Sequence, residues 1–137
     1  SDLLMFLPAA HPLAERSSLC LAEVLDEPWV RPDTDDEVFR GYWLAEDVRE
    51  GRTPPPAPAY GTPDSALAVI ATGRALGVGA SLRDPLPLDG VVAVPVDDDR
   101  RVTVALAWRD DGLSARAAAL RDALLADPPC LTGERPS

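Results

Sequence analysis

The chain has 137 residues, 46% of them hydrophobic, and its 23 acidic and 13 basic residues give a formal net charge of -10. This length and apolar content are enough for the core of one globular domain. Because a negative field repels phosphate backbones, the composition argues against direct nucleic-acid binding by this segment.

The cysteines and the N-terminal segment bear on the cellular compartment. Cys20 and Cys130 lie far apart in the sequence, which gives little support to a disulfide framework and favours a reducing cytoplasm. Residues 1–7 are apolar but include Asp2, carry no basic leader and are far too short to span a bilayer. We therefore expect a cytoplasmic protein, with neither export nor membrane insertion.

The first part of the chain alternates short apolar runs with turn residues. Residues 3–7 form a continuous apolar run that stops at Pro8, a pattern typical of a buried strand. Residues 19–25 predict a brief helix that ends before Pro28, and residues 29–31 predict a short strand. Because the sequence opens directly on a buried strand, we interpret the chain as a fragment of a larger fold.

A first amphipathic helix is predicted after this strand. Thr34 and Glu37 have the spacing of a capping box, which predicts that the helix begins there. The apolar residues that follow recur every three or four positions: Val38, Phe39, Tyr42 and Trp43. We therefore expect one aromatic face of this helix to be buried. The pattern fades in the polar stretch 46–52.

A second helix follows a proline-rich connector. Residues 53–58 should be extended and lead into a short strand at residues 59–60. Thr62, followed by a proline at the first helical position, predicts a helix N-cap. Gly73 is expected to end this helix, and residues 76–80 follow as a strand of small residues.

The last part of the chain holds two β-rich runs and one helix. Residues 91–96 and 102–108 are separated by a charged connection and are compatible with a hairpin. Ser114 predicts the cap of a final helix that extends to about Ala126. The tail, residues 128–137, is expected to be flexible. Helices alternating with short strands indicate an α/β layered architecture.

Four groups of short segments are distinctive in their order and spacing. They are HPLA at 11–14 leading through LAE at 21–23 to DEPWV at 26–30; ATGR at 71–74 with GV at 77–78; VVAVPV at 91–96; and ALAWR at 105–109 with LS at 113–114 and the final helix. In this order they resemble the effector-binding domain of LysR-type transcriptional regulators, over about residues 3–126. The chain departs from that pattern at Ala75, where glycine is usual, at Ala80, where proline is common, and at Cys20, where a hydroxyl residue is usual.

The resemblance implies a two-lobed fold like that of type 2 periplasmic binding proteins, with a small-molecule effector held between the lobes. It implies that residues 1–127 are a fragment of an effector-binding domain. The second lobe would be complete over about residues 19–95, and the first lobe partial, with residues 1–10 and 96–127 as crossover and first-lobe remnants. The family's winged-helix domain has no counterpart, so DNA is expected as a partner only through a domain absent from this chain, and homo-oligomers are expected.

Two strand-to-helix loops are the candidate ligand-binding residues. In open α/β sheets, ligands gather beyond the carboxyl ends of strands, near the free N–H groups of helix N-termini. The loops are Pro32, Asp33 and Thr34, and Tyr60, Gly61 and Thr62. The resemblance implies that they form the second lobe's wall of the effector cleft. The alternative is that Thr34 and Thr62 only cap helices.

Acidic residues surround both loops: Asp33, Asp35, Asp36 and Asp64. Because they would compete with a bound anion for the helix N-termini, a neutral, polar or cationic effector is expected rather than a highly charged anion.

The sequence indicates little chemistry beyond binding. His11 lacks partners for a metal site and has the context of a turn residue. The carboxylate runs at residues 35–36 and 97–99 are typical of solvated caps and turns, and no nucleophile is paired with a base. The three tryptophans are expected mainly in the core. We therefore expect no catalytic residue, no metal and no cofactor.

Two alternatives to effector sensing remain open. The chain could be a self-association module, because an incomplete lobe would leave apolar strand edges unpaired. It could also be a fragment of a solute-binding protein for uptake, which the missing signal peptide disfavours.

Overall fold

A computed structural model of the chain describes residues 3–80, 89–100, 102 and 105–127. These residues form a mixed α/β fold. The strands are β1 (Leu3–Pro8), β2 (Arg31–Pro32), β3 (Ala59–Tyr60), β4 (Gly77–Ala80) and β5 (Val91–Pro95). The helices are α1 (Glu37–Trp43), α2 (Pro63–Ala71) and α3 (Ala115–Ala126), with short 3-10 turns at Leu21–Glu23 and Glu46–Val48.

Strand β1 lies at the centre of an antiparallel sheet in the order β4-β1-β5. Its buried and half-buried residues alternate, as expected when successive side chains point to opposite faces of a sheet. Parallel bridges from Trp29 to Leu76 and from Leu19 to Val96 extend this sheet at both sides. Strand β2 pairs in parallel with β3, so the carboxyl ends of these two strands lie side by side.

Two hydrophobic cores cover the two faces of the sheet. The larger core contains alternate residues of β1 together with Trp29, which is 1% exposed. Its buried members are Leu3, Met5, Leu7, Leu19, Leu21, Val24, Leu25, Trp29, Leu44, Ala45, Leu76 and Val94. The smaller core lies under α2, where Phe6 packs against it from β1. Its buried members are Val30, Ala66, Ile70, Ala75 and Val91.

Several boundaries confirm the sequence predictions. Strand β1 ends at Pro8. The Thr62 side chain caps α2 by accepting a hydrogen bond from the Ser65 N–H, with proline at the first helical position. Gly73, at φ 79°, follows the end of α2 in the left-handed region. The Ser114 side chain caps α3 by accepting from the Ala117 N–H.

Two of the shorter predicted elements are reduced in the structure. The helix predicted over residues 19–25 consists of the single 3-10 turn Leu21–Glu23. The strand predicted over residues 29–31 begins as an isolated bridge at Trp29, and its strand proper is Arg31–Pro32. Both segments lie just before prolines, which limit how far regular hydrogen bonding can extend.

The capping box predicted at Thr34 is wrong. Helix α1 begins at Glu37, and its N-cap is Asp36, whose carboxylate accepts a hydrogen bond from the Phe39 N–H at 2.9 Å. The Thr34 hydroxyl instead accepts from the Asp36 N–H at 3.1 Å and tightens the turn before the helix. Aspartate caps a helix as well as threonine does, and its charge complements the helix N-terminus.

The prediction of a buried aromatic face on α1 is also wrong. This helix has no buried residue, and the Phe39 side chain is 49% exposed. Trp43 is half-buried, packs against the larger core and makes edge-on contacts with Phe39 and Tyr42, at 6.1 and 5.1 Å between ring centroids. The apolar residues of α1 do recur at helical spacing, but the face that they form borders open space as well as the larger core.

The described part of the second β-rich run forms no strand. Residues 105–109 have no strand pairing, whereas residues 101, 103 and 104 lie outside the described residues, as does the predicted flexible tail at 128–137. Strand β5 pairs with β1, and Val96, just after β5, bridges to Leu19. Because part of the second run lies outside the described residues, the hairpin itself stays a prediction.

Arg49 is the buried charge of the larger core, although it lies in the predicted polar stretch. It is 2% exposed. Its Nε donates to the Leu44 carbonyl at 2.7 Å and its Nη1 to the Leu25 carbonyl at 2.6 Å. The guanidinium carbon lies 4.9 Å from the Trp29 ring centroid. Burial lowers the pKa of Arg49 below its usual value, but an arginine stays charged at neutral pH.

We predict that Arg49→Lys lowers the free energy of unfolding by about 2–3 kcal/mol, because one ammonium group cannot reproduce the fork that satisfies two buried carbonyls. Chemical denaturation measures this loss. Arg52→Lys is the matched control, since Arg52 forms an exposed ion pair with Asp26 at 3.0 Å, and such pairs contribute about 0.5 kcal/mol or less. Equal effects of the two substitutions would contradict the structural role of Arg49.

Candidate ligand-binding cleft

A cavity of about 470 Å³ lies beyond the carboxyl ends of β2 and β3. Its walls come from the two loops that follow these strands, from α1 and α2, and from strand β4. Small-molecule sites in proteins are mostly apolar clefts of about 300–1,000 Å³ with a few polar groups. This cavity, called the cleft below, has that size and character.

Five of the six predicted ligand-binding residues line the cleft. Pro32, Asp33, Thr34, Tyr60 and Gly61 all border it. The two loops are tied together by a hydrogen bond from the Asp33 N–H to the Tyr60 carbonyl, at 2.8 Å. The two strand-to-helix loops therefore share one cavity, and their contact with a ligand stays a prediction.

The sixth predicted residue, Thr62, lies outside the residues that line the cleft. Its hydroxyl accepts from the Ser65 N–H at 3.2 Å, and the Ser65 hydroxyl lies at hydrogen-bond distance from both the side chain and the backbone of Thr62. These contacts satisfy the first turn of α2. The geometry therefore favours the capping role of Thr62.

The polar side chains of the cleft differ in exposure. Thr34 and Tyr60 are half-buried, whereas Asp33 is exposed. Burial raises the pKa of the Tyr60 phenol above its usual 10.0. The phenol is therefore protonated at neutral pH and can donate a hydrogen bond.

The cleft opens where the sheet separates between β2 and β4. The Leu76 N–H donates to the Pro28 carbonyl at 2.8 Å, and the Val30 N–H donates to the Leu76 carbonyl at 2.7 Å. In this parallel ladder, the next bonds would run from the Val78 N–H to the Val30 carbonyl and then from the N–H of residue 32 to the Val78 carbonyl. Pro32 has no N–H. Strand β2 consequently pairs with β3 alone, and the cleft occupies the gap.

The aromatic and glycine residues of the cleft were not predicted from the sequence. Phe6, Phe39 and Trp43 line it from β1 and α1. A Cβ at Gly79 would clash with the Phe6 ring, and one at Gly77 would lie 2.9 Å from both Ile70 Cδ1 and Val30 Cγ2. Glycines in a run of small strand residues are a sequence signal for close approach, but their partners are distant in sequence.

A second cavity, of about 730 Å³, contains none of the predicted site residues. Two of its acidic side chains, Asp47 and Asp98, have hydrogen-bond partners. Arg100 forms an ion pair with Asp47 and lies 5.5 Å from the Tyr42 ring centroid. The Asp98 carboxylate accepts from the Leu21 N–H at 3.2 Å. The hydrogen bond from Arg100 lowers the pKa of Asp47 below its usual 3.8.

The described residues contain no group of three or more side chains placed to hold a metal ion. His11 Nε2 lies 2.8 Å from a carboxylate oxygen of Glu27, and its Nδ1 accepts from the Leu13 N–H at 3.1 Å. Among the described helices, none is both long and apolar enough to cross a bilayer.

The model of the LysR substrate-binding domain family matches residues 1–128. The chain belongs to this family. Its mixed α/β fold is that of LysR substrate-binding domains, which resemble type 2 periplasmic binding proteins, so the predicted fold class is confirmed. The completeness of each lobe and the proposed domain boundaries stay predictions.

Solved structures of LysR-type proteins share this fold at low sequence identity. HinK, a LysR family transcriptional regulator from Pseudomonas aeruginosa, is 20% identical with a TM-score of 0.56, and the match covers 71% of this chain and 33% of HinK. The BenM effector-binding domain with benzoate is 20% identical with a TM-score of 0.60, covering 72% of this chain and 46% of that domain.

The QuiR effector-binding domain in complex with shikimate is 14% identical with a TM-score of 0.58, covering 73% of this chain and 47% of that domain. This LysR-type chain therefore spans less than half the length of these solved relatives. A search of curated proteins gives no significant match.

We predict that Gly79→Ala lowers the free energy of unfolding of this LysR-type domain by about 1 kcal/mol, because the added methyl group forces the Phe6 ring to move from its place over β4. Gly61→Ala is the matched control in the same cleft, since nothing lies within 4 Å of its added Cβ. Thermal and chemical denaturation measure both variants. A Gly79→Ala protein as stable as Gly61→Ala would contradict the close approach of Phe6.

The Asp47–Arg100 ion pair predicts a specific acid sensitivity. Because the pKa of Asp47 is lowered by folding, the pair stabilises the fold above the usual value of 3.8. This contribution is lost as the pH falls through the lower, folded value. We expect Asp47→Asn to lose less stability than the wild type when denaturation is measured at neutral and at strongly acidic pH. Parallel losses in the two proteins would show that the pair does not contribute.

Proposed function

We propose that this chain is the effector-sensing part of a LysR-type transcriptional regulator that binds a small molecule in the cleft. The observation that carries the proposal is the meeting of the two predicted loops at one cavity of suitable size. The BenM and QuiR domains, which share the fold, hold benzoate and shikimate. Effector binding would control DNA binding by a domain outside this chain.

The remaining parts of the proposal follow from family membership. Regulators of this family are not enzymes, and we infer the same of this protein, with the cytoplasm as its site of action. Residues 19–95 would form the second lobe, and residues 1–10 and 96–127 would belong to the crossover and the first lobe. No cofactor is proposed.

Self-association is a second candidate function, favoured by the exposed surface of α3. This helix has no buried residue, and Leu120 and Leu125 are 60% and 58% exposed. These two leucines are exposed apolar surface that a second copy of the chain could cover. Sedimentation of the full-length regulator tests this, since a stable monomer would exclude the candidate.

Ligand binding is tested first by a thermal-shift screen of the full-length regulator. The library contains benzoate, shikimate and neutral and cationic aromatic compounds, and at least one of them should raise the melting temperature. A ligand that binds the native state stabilises it, and the gain rises with the logarithm of ligand concentration over Kd. A screen in which no compound raises the melting temperature would argue strongly against effector sensing.

The strongest compound is then titrated calorimetrically against cleft variants. We predict that Thr34→Val and Tyr60→Phe each weaken its affinity about fivefold, because each removes one hydroxyl worth about 1 kcal/mol and keeps the side-chain shape. Tyr42→Phe is the matched control, since Tyr42 lines the second cavity. Unchanged affinity in both cleft variants would place the ligand elsewhere.

A further inference from the structure

The two edges of strand β4 bond different neighbours. In an antiparallel sheet, both backbone groups of a residue point to the same neighbouring strand, and successive residues alternate. The Val96 N–H donates to the Leu3 carbonyl at 3.0 Å, so Leu3 bonds the β5 side. Leu4 and Phe6 therefore bond β4, where their partners are Gly79 and Gly77.

The intervening residues of β4 point their backbone groups the other way. Leu76 shows this directly, because it bonds Pro28 and Val30 on that side. Val78 and Ala80 lie two and four residues after Leu76, so their backbone N–H and carbonyl groups point to the same side as those of Leu76. Over residues 3–80, no backbone hydrogen bond joins Val78 or Ala80 to the segment containing β2, since Pro32 interrupts the ladder.

This free edge of β4 lies in the cleft. Strand β4 and the loop after β2 line the same cavity from its two sides. The edge offers N–H and carbonyl groups at Val78 and Ala80, spaced as in a strand. Val78 and Ala80 are half-buried, so a ligand that covers this edge has to supply both an acceptor and a donor in place of water.

The charges of the cleft select against an anion. Among the described residues that line it, Asp33 is the one charged side chain, and no arginine is present. The other polar groups are the hydroxyls of Thr34 and Tyr60, and the walls include the rings of Phe6, Phe39 and Trp43. A carboxylate would meet Asp33 and the Val78 carbonyl, and none of the described residues that line the cleft carries a positive charge to compensate.

We propose that the cleft recognises an uncharged carboxamide carried on an aromatic or similarly apolar group, with the amide bonded to the free edge of β4 at Val78 and Ala80. This inference rests on the proposed function of the cleft and names its ligand class. An amide has one acceptor and at least one donor in a plane, which matches a strand edge. The class differs from the carboxylates held by the BenM and QuiR domains.

The test compares amides with acids of the same shape, by calorimetric titration of the full-length regulator. The pairs are benzamide with benzoate, nicotinamide with nicotinate, and phenylacetamide with phenylacetate. We expect at least one amide to bind about tenfold tighter than its acid. If every acid binds as tightly as its amide, or if no amide binds, the inference is wrong. Effector sensing itself is judged separately by the thermal-shift screen, whose library is wider.

A substitution at residue 80 tests the backbone contact. Ala80→Pro removes an N–H that the pairing with β1 does not use, so we expect the fold to persist and the affinity for the best amide to fall about tenfold. Ala80→Gly keeps the N–H and should stay within about twofold of the wild type. Equal amide affinities in the two variants would overturn the contact.

A charge substitution gives an independent measurement should Ala80→Pro prove unstable. Asp33→Asn removes the carboxylate of the cleft and should strengthen binding of the matched acid several-fold while leaving the amide nearly unchanged. The ratio of amide to acid affinity would then fall. A loss of stability alone would not change this ratio, and an unchanged ratio would contradict the proposed selection against anions.

Discussion

The missing N–H of Pro32 is the constraint on which the cleft depends. On one edge, the backbone after Trp29 bonds Leu76 and would continue along β4 if residue 32 could donate. On the other edge, β2 bonds β3 in parallel and brings the two strand-to-helix loops together. The interrupted pairing with β4 therefore leaves the gap that forms the cleft. The pairing of β2 with β3 brings together the two loops that form its walls.

The two faces of the sheet have different roles. One face is tightly packed, with Met5 and Trp29 almost fully buried and the guanidinium of Arg49 satisfying two carbonyls in the turns that cover them. The other face carries α2 and places Gly77 and Gly79 beneath Ile70 and Phe6. The packed face supports β1, and the lack of a side chain at Gly79 lets the Phe6 ring lie over β4 and line the cleft. Binding residues held on such a scaffold are positioned with little freedom.

The elements that could be predicted from the sequence are those with local signals. Pro8, Thr62, Gly73 and Ser114 act within a few residues of themselves, and each marks the boundary that it was expected to mark. At α1, Thr34 and Asp36 compete for the same capping role, and spacing alone does not decide between them.

The parts that could not be predicted depend on contacts between distant residues. The two candidate loops follow from a general rule about strand ends, but their shared cavity depends on the parallel register of β2 and β3. The burial of Arg49 depends on carbonyls of two turns, one of them 24 residues away. The free edge of β4 depends on which neighbouring strand each residue of β4 bonds. No local sequence pattern shows whether a given residue bonds one side or the other.

Backbone recognition also bears on how this fold can change its ligand. At 14–20% identity to the compared domains, most side chains of a cleft can be replaced while the strands and their polar backbone groups persist. A substitution cannot move these groups, and only proline removes an N–H. Position 80, where this chain has alanine, is therefore a place where a single substitution to proline would remove a donor. Because the β1 ladder does not use that donor, the change can alter ligand choice without breaking the sheet.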